Sequence, residues 1–315
     1  MTLPMGRAMR EAFGETVTEL ADVDPRVVML DGDLGVSTKA DIFQKAHPER
    51  YLQTGIAEQN MLGMAAGLAS VGMLPFISTF VPFAVVRPLD QIRVLIAQPH
   101  LNVKITAGYA GLFVGAAGKT HQSVDDISIM RAMPGMITIS PADDVETRLA
   151  ILWAAGYHGP VYVRLVRDAT QRLFGEDHVF EVGRAVVVRE GTDVTLVSTG
   201  AETPRVVDAA GLLAERGIDA HVLHVPTIKP FDVAAIVAAA ERTNLVITVE
   251  EHSVIGGLGG AVAETLAEHR PTRVLRIGLQ DVFGQSASND DLLDIYGLSA
   301  KRVAEQVVGH LGQLG

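Results

Sequence analysis

One carboxylate stands out because it enters a long run of small and apolar residues. Glu58 lies in the segment Thr-Gly-Ile-Ala-Glu-Gln-Asn-Met over residues 54–61. Apolar residues then recur near helical spacing through residues 61–69, which predicts that Glu58 lies in the first turn of a mostly buried helix. A carboxylate there has one of two functions. It either interacts favourably with the helix dipole, which stabilises the helix by about 0.3–1 kcal/mol, or takes part in proton transfer during catalysis.

Two aromatic residues and a histidine follow this acid. Phe80 and Phe83 come after a strand-like run at 74–78, in a chain with only 5% aromatic residues. His121 lies in the glycine-bearing stretch 115–122. Paired phenylalanines often belong to the core, and a lone histidine often only satisfies a hydrogen bond. Loops of this kind carry function more often than cores do, so all three are candidate site residues.

The order of acid, aromatic pair and histidine resembles the transketolase family, which uses thiamine diphosphate. The resemblance implies that Glu58 hydrogen-bonds N1′ of the aminopyrimidine and that Phe80, Phe83 and Ile56 contact the cofactor, with Phe83 as the stacking ring. An acid at N1′ favours the imino tautomer, whose 4′ group can take the proton from C2 of the thiazolium. His121 would face the substrate as a proton shuttle or hydrogen-bond donor.

Three further residues match positions that grip the substrate phosphate in transketolases. They are Arg10, Ser37 and Arg164, and the resemblance implies that they bind substrate here. Guanidinium groups that converge on a phosphate form charge-assisted, often bidentate hydrogen bonds. Arg87 and Arg167 are weaker candidates for the same place.

The loop before His121 departs from the family. Sugar-phosphate transketolases carry an aspartate where this chain has Ala117, and no charge matches the upstream histidine or arginine of the substrate channel, near residues 107–109. The aspartate of the family hydrogen-bonds a sugar hydroxyl. The substrate is therefore expected to be shorter, branched or otherwise unusual.

A glycine-rich segment offers a rival interpretation. Residues 256–261 read Gly-Gly-Leu-Gly-Gly-Ala after a strand-like run, and Asp281 follows where a ribose-binding acid would lie. This fits a loose dinucleotide fingerprint. The segment comes late in the chain, however, and its glycines can simply allow close packing of a helix on a strand. It also resembles the C-terminal domain of transketolases, where no nucleotide binds.

The sequence lacks the Gly-Asp-Gly motif with which thiamine diphosphate enzymes hold Mg²⁺ and the diphosphate. Without such hard oxygen ligands, no metal-binding residues are expected in this chain. The resemblance thus implies a second polypeptide, the N-terminal, diphosphate-binding transketolase subunit, which holds Mg²⁺ and shares the thiamine diphosphate. A closed α₂β₂ heterotetramer is the natural assembly.

The prediction is a β-type subunit of a split transketolase that moves a two-carbon ketol unit from a ketose or ketose phosphate to an aldose. Three alternatives stay open. One is a split 1-deoxyxylulose-5-phosphate synthase-like enzyme, which shares Ile-Ala-Glu-Gln at 56–59. The second is a 2-oxo acid dehydrogenase β subunit, although Thr-His-Gln at 120–122 favours a transketolase. The third is a regulatory or scaffold subunit without catalytic function.

Alternating strands and helices must position these residues. Strand-like runs at 27–30, 103–106 and 161–164 form a first set, and runs at 194–198, 221–225, 245–249 and 273–277 form a second. Such alternation predicts an α/β fold with two doubly wound domains built on mainly parallel sheets. The polar stretch 171–191 separates a pyrimidine-binding domain at 1–175 from a transketolase C-terminal domain at 185–315.

Composition excludes several classes of protein. With 315 residues, 48% of them hydrophobic, the chain is long enough for two cored domains. A net charge of −11 argues against nucleic-acid or anionic membrane surfaces. The absence of cysteine excludes disulfides and thiolate metal sites. Residues 1–15 contain arginines but no apolar segment after them, so we expect a cytoplasmic protein.

Overall fold

Strands and helices alternate along the chain, as the sequence pattern predicts. A computed structural model describes residues 3–312. The strands within this range are β1 (Met5–Ala8), β2 (Val27–Asp31), β3 (Tyr51–Gln53), β4 (Leu74–Phe80), β5 (Lys104–Gly108), β6 (Ile137–Ile139), β7 (Val161–Arg164), β8 (Ala169–Gln171), β9 (Val186–Arg189), β10 (Val194–Ser198), β11 (Ala220–His224), β12 (Thr227–Lys229), β13 (Leu245–Ser253) and β14 (Arg273–Leu279).

The helices surround these strands. They are α1 (Met9–Val23), α2 (Gly35–Thr38), α3 (Ala40–Ala46), α4 (Glu58–Ser70), α5 (Val81–Val85), α6 (Leu89–Gln91), α7 (Asp126–Ala132), α8 (Asp144–Gly156), α9 (Glu202–Ala214), α10 (Val233–Arg242), α11 (Leu258–His269), α12 (Asn289–Ile295) and α13 (Ala300–Gly312). A π-helical segment, Ile92–Ala97, continues α6.

The first sheet has the strand order β12-β6-β7-β5-β4-β2-β3. All pairs in it are parallel except the edge pair β12 and β6. Phe80 pairs with Gly108, and Ala107 pairs with Arg164, so β4, β5 and β7 end at the same edge. Ligand sites of open α/β sheets lie at this carboxyl edge.

The second sheet has the order β14-β13-β10-β11-β9 and is parallel except for the edge strand β9. The two mainly parallel sheets confirm the predicted α/β fold class. The edge strand β12 comes from the later part of the chain yet joins the first sheet, so the two halves share backbone hydrogen bonds.

The core explains why the sheet strands read as continuous apolar runs. Every residue of β2, β4, β5 and β7 is buried, as expected for parallel strands with helices on both faces. α1 packs on α8 and α3, and α9 packs on α13. No helix within residues 3–312 is long and apolar enough to cross a lipid bilayer.

Candidate active site at the carboxyl edge of the first sheet

Glu58 is the first residue of α4, as predicted, and its side chain is only 3% exposed. Both carboxylate oxygens accept a hydrogen bond from Arg87 Nη1, at 2.9 and 3.1 Å. The Arg87 guanidinium in turn lies 4.1 Å from the centre of the Phe83 ring, within cation–π range. Arg87 therefore connects the buried acid to Phe83 on α5.

Four rings form a cluster beside this pair. Phe80 and Phe83 stack with centroids 5.9 Å apart, and Phe80 also stacks on Tyr109 at 3.7 Å. The His121 ring meets Phe83 and Phe80 edge-on, at 5.3 and 6.1 Å. The structure thus brings Phe80, Phe83 and His121 together with a tyrosine, in arrangements that aromatic pairs favour.

Tyr109 also lies at the centre of a cluster of basic residues. Its hydroxyl donates to the Ser37 carbonyl oxygen at 3.3 Å. The same hydroxyl accepts from Arg10 Nη1 at 3.3 Å and from Arg167 Nε at 3.2 Å, and Arg10 Nη1 also donates to the Ser37 carbonyl at 3.0 Å. Two guanidinium groups therefore converge on one tyrosine hydroxyl. Such a pair suits an anionic substrate group.

Tyr109 has a strained backbone, with φ of 66°. A bulky side chain rarely adopts the left-handed region, and such strain clusters at functional sites. The sequence shows only that residues 107–109 carry no charged side chain. The positive φ depends on tertiary packing, so no local sequence signal could have identified this tyrosine as the centre of the group.

Arg164 lies apart from the other predicted substrate residues. Its side chain is 4% exposed; Nε donates to Asp126 Oδ2 at 2.8 Å and Nη2 donates to the Glu251 carbonyl oxygen at 2.9 Å. Burial alone would raise the pKa of Asp126, but the charge of Arg164 lowers it below its usual value. The structure therefore assigns Arg164 to the junction between the two halves, and Arg167 is the arginine beside Arg10.

Ile56 is the other predicted residue outside the cluster. Its side chain is 75% exposed and precedes the buried Glu58 by two residues. Because this side chain is exposed, any contact with a cofactor would be made on the outer surface of the subunit.

A cavity of about 650 Å³ lies beside Phe80 and the basic residues around Tyr109, whereas Glu58, Phe83 and His121 are not among its lining residues. Ser37, Tyr109 and Arg167 line its basic end, and Phe113 and Ala117 line an apolar wall. Residues 287–289 of the C-terminal half close one side. A larger groove of about 760 Å³ runs past Arg93, His100 and Met133, but none of the predicted residues lines it. The smaller cavity is the better candidate because Ser37, Phe80 and Arg167 line it together.

Comparisons with known proteins assign this chain to a family. The model of the transketolase pyrimidine-binding domain matches residues 5–172, and that of the transketolase C-terminal domain matches residues 183–303. The chain belongs to the transketolase family.

Similar proteins include single subunits of divided transketolases. A putative transketolase C-terminal section of Methanocaldococcus jannaschii is 45% identical over 305 residues, which cover 96% of each chain. The 6-deoxy-6-sulfo-D-fructose transketolase subunit SqwH of a Clostridium species is 41% identical over 94% of this chain and 92% of its own. A solved structure described as a split gene transketolase, an inactive β4 tetramer, has a TM-score of 0.87 at 45% identity, covering 96% and 98% of the chains.

These matches confirm the predicted subunit type. Within the family, the chain is the C-terminal, β-type subunit of a two-chain transketolase, a transferase that acts with an α-type partner. Membership of the family also implies dependence on thiamine diphosphate.

The described residues fit one end of this cofactor. A buried carboxylate next to aromatic faces suits an aminopyrimidine ring, and Glu58, Phe80 and Phe83 provide this combination. For the diphosphate end, by contrast, residues 3–312 contain no group of three or more His, Asp or Glu side chains that could hold a metal ion.

The glycine-rich segment at 256–261 serves packing in this transketolase subunit. Glu250 accepts hydrogen bonds from the backbone N–H groups of Leu258 and Gly259, at 2.7 and 2.8 Å. The first N–H groups of α11 thus already bind a carboxylate of the same chain. A Cβ on Gly257 would collide with the Glu250 side chain. The rival dinucleotide interpretation is therefore rejected.

Proposed function

We propose that this subunit provides the pyrimidine half of a thiamine diphosphate site that is shared with the α-type partner. The observation that carries the proposal is the continuous series from the buried Glu58 through Arg87 and Phe83 to His121. The partner would hold Mg²⁺ and the diphosphate. This division agrees with the absence of a Gly-Asp-Gly motif from the sequence.

Each residue then has a distinct task. When bound, thiamine diphosphate would supply a nucleophilic carbon for addition to the carbonyl of the ketose. Glu58 holds a proton at N1′ of the aminopyrimidine, and Phe80 and Phe83 pack on that ring. His121 donates a hydrogen bond to, or moves a proton at, the reacting oxygen of the substrate. For this chemistry Arg87 must share the Glu58 carboxylate with the cofactor or release it.

We infer that the substrates carry an anionic group at the end remote from the reacting carbon. Arg10 and Arg167 supply two positive charges around Tyr109, and Asp168 pairs with one of them. The relative SqwH is named for a sulfo-sugar. Ala117 on the apolar wall offers no hydrogen bond to a sugar hydroxyl, which favours substrates that are deoxygenated, branched or shorter at that position.

The α-type partner would bind the surface beside Glu58. Apolar side chains are exposed along α4 and in the segments next to it, at 37–76%, and exposed apolar surface on a subunit often marks an interface. They are Ile56, Met64, Val71 and Val86. A closed α₂β₂ assembly in the cytoplasm, with domains at 1–175 and 185–315 in this subunit, completes the proposal.

The test is reconstitution with a partner that carries the Gly-Asp-Gly motif. The two chains are co-expressed, thiamine diphosphate and Mg²⁺ are added, and ketose donors are assayed against aldehydes. We expect ketol transfer by the complex and none by either chain alone. Tight binding of intact cofactor by the isolated chain would contradict the shared site. Release of CO₂ from pyruvate would indicate a 1-deoxyxylulose-5-phosphate synthase-like reaction instead.

A further inference from the structure

The loop that carries His121 has little regular structure of its own. Between β5 and α7 it contains the 3-10 turn Gly115–Ala117, an isolated bridge between Gly111 and Ser123, and turn hydrogen bonds such as that from the His121 N–H to the Gly118 carbonyl oxygen. These bonds shape the loop locally, whereas contacts from other elements attach it to the rest of the fold. A histidine that must meet a substrate oxygen needs a fixed position. Contacts from outside the loop therefore help to fix where His121 lies.

The C-terminal half supplies these contacts at the start of the loop. Glu251, on β13, accepts a hydrogen bond from the Leu112 backbone N–H at 2.5 Å. Its second oxygen accepts from Arg205 Nη2 on α9 at 2.8 Å. The Arg205 guanidinium also lies 4.8 Å from the Phe113 ring centre. Glu251 is 3% exposed, so the hydrogen bond to the loop is shielded from water.

The end of the loop is held by the same half. Gln122 Nε2, next to His121 in the chain, donates to the Gln285 carbonyl oxygen at 3.0 Å. The Ser253 backbone N–H donates to the Val124 carbonyl oxygen at 2.7 Å. Both ends of the loop are thus attached to a domain that contributes no residue to the predicted catalytic set.

We propose that Glu251 is a positioning residue for ketol transfer. This residue belongs to the C-terminal half and fixes the beginning of the loop that carries His121. Glycine at position 111 makes this approach possible, since a Cβ there would collide with the Glu251 carboxylate and φ is +65°. Arg205, shared between Glu251 and Glu202, holds the Glu251 carboxylate in its orientation. The inference rests on the proposed role of His121.

The experiment compares Glu251→Ala, Glu251→Gln and the matched control Glu250→Gln. Glu250 is an equally buried acid on the same strand, but its carboxylate binds N–H groups inside its own domain. Hydrogen exchange of residues 111–122 is measured on the full chain, and kcat and KM are measured on the complex with the α-type partner.

For Glu251→Ala we expect exchange in the loop to accelerate about ten-fold or more, and kcat to fall about ten-fold with donor KM within about three-fold. Glu251→Gln should restore part of the loop protection and part of kcat, because its amide oxygen can still accept a hydrogen bond from the Leu112 backbone N–H. Glu250→Gln should lower the melting temperature without changing loop exchange or kcat. If the alanine variant does not fold, the glutamine variant and Arg205→Lys carry the comparison.

The inference is overturned if loop exchange in Glu251→Ala stays at the wild-type rate, or if Glu250→Gln lowers kcat as much as the Glu251 variants do. The exchange measurement needs no activity. A wild-type complex that transfers no ketol unit would therefore refute the proposed function, while loop exchange would still decide the role of Glu251.

Discussion

At the scale of single residues, the site depends on charged groups held against aromatic faces. Arg87 is half exposed yet binds both oxygens of the buried Glu58. Tyr109 brings two further arginines together. Both arrangements place cations where water is partly excluded, which strengthens their attraction for an anion. Single substitutions should separate the proton-holding function from the anion-binding function.

Replacing Glu58 by glutamine should abolish most of the transfer activity. Glutamine retains the shape and can hydrogen-bond Arg87, but it cannot hold a proton at the pyrimidine nitrogen. We expect kcat of the reconstituted complex to fall at least about 100-fold, as general acid–base contributions suggest. Glu49→Gln, at an exposed acid, is the control. Full activity of Glu58→Gln in the complex would favour a scaffold subunit without catalytic function.

Replacing Tyr109 by phenylalanine should weaken binding of anionic substrates selectively. The ring can still stack on Phe80, but Arg10 and Arg167 lose the hydroxyl that orients them. Hydrogen bonds to charged groups contribute about 1.5–3 kcal/mol, so KM for a phosphorylated acceptor should rise about ten-fold. KM for the neutral analogue of that acceptor should change little. An equal rise for both acceptors would argue against the anion site.

At the scale of secondary structure, two helix glycines differ in the space around the position that a Cβ atom would occupy. Gly14 lies inside α1, and a Cβ there would collide with the Lys39 carbonyl oxygen before α3. Gly67 lies inside α4, and nothing lies within 4 Å of the Cβ position. The same substitution should therefore have opposite effects in the two helices.

Gly14→Ala should destabilise the subunit and Gly67→Ala should stabilise it. Forcing a methyl group against a backbone oxygen costs about 1–3 kcal/mol. In an open helix position, alanine in place of glycine gains about 0.5–1 kcal/mol. Thermal or urea unfolding of the isolated chain measures both free energies. If Gly14→Ala raised the free energy of unfolding as much as Gly67→Ala does, α1 and α3 would have to be able to move apart.

At the scale of the whole molecule, a buried acid joins the two halves and the segment between them. Glu146 on α8 accepts from His224 Nε2 at the end of β11, at 2.9 Å. Its other oxygen lies 3.5 Å from His178 Nε2, in the connecting segment. The Phe174 ring stacks on His178 with centroids 3.7 Å apart. Burial raises the pKa of Glu146, but the charge of His224, its hydrogen bond to the carboxylate and the nearby His178 ring lower it to about 2.

This acid should make stability depend on pH below neutrality. The pKa of Glu146 is about 2 in the folded chain against an ordinary value of 4.5, so its contribution is present above about pH 4.5 and is lost as pH falls toward 2. The contribution is about 3 kcal/mol at most. Glu146→Gln should therefore lower the free energy of unfolding at pH 7, and the difference from wild type should shrink below pH 4.5.

Urea unfolding from pH 7 to 3 measures this difference. Glu181→Gln, at an exposed acid in the same connecting segment, is the control and should unfold like the wild type at each pH. A difference between Glu146→Gln and wild type that stays constant over this range would show that the acid acts through packing rather than through its charge.

Much of the candidate site could be predicted because its signals are local. Glu58 precedes an apolar helical repeat, and the structure starts α4 at that residue. His121 lies among glycines, and the structure places it in a loop against Phe83. The ordered pair Phe80 and Phe83 stacks, as neighbouring rings at the start of a helix can. Their roles in the reaction stay predictions for the experiments above.

The choice between two arginines could not be made locally. Arg164 and Arg167 lie three residues apart at one strand end. Arg164 turns toward Asp126 and Glu251, which are 38 and 87 residues away in sequence. Arg167 turns toward Tyr109, 58 residues away. Only the contacts of distant elements fix these directions.

The sequence by itself determined the α/β class and the family, and it predicted that the cofactor site is shared between two subunits. Alternating β-branched runs and helical repeats specify parallel sheets, and a missing Gly-Asp-Gly motif is visible without any coordinates. Tertiary structure alone decided that Arg167 rather than Arg164 joins Arg10, that Tyr109 orients them, and that Glu251 reaches the His121 loop. The reason is physical: periodicity and turn chemistry act over a few residues, whereas burial and charge pairing select side-chain directions across the whole chain.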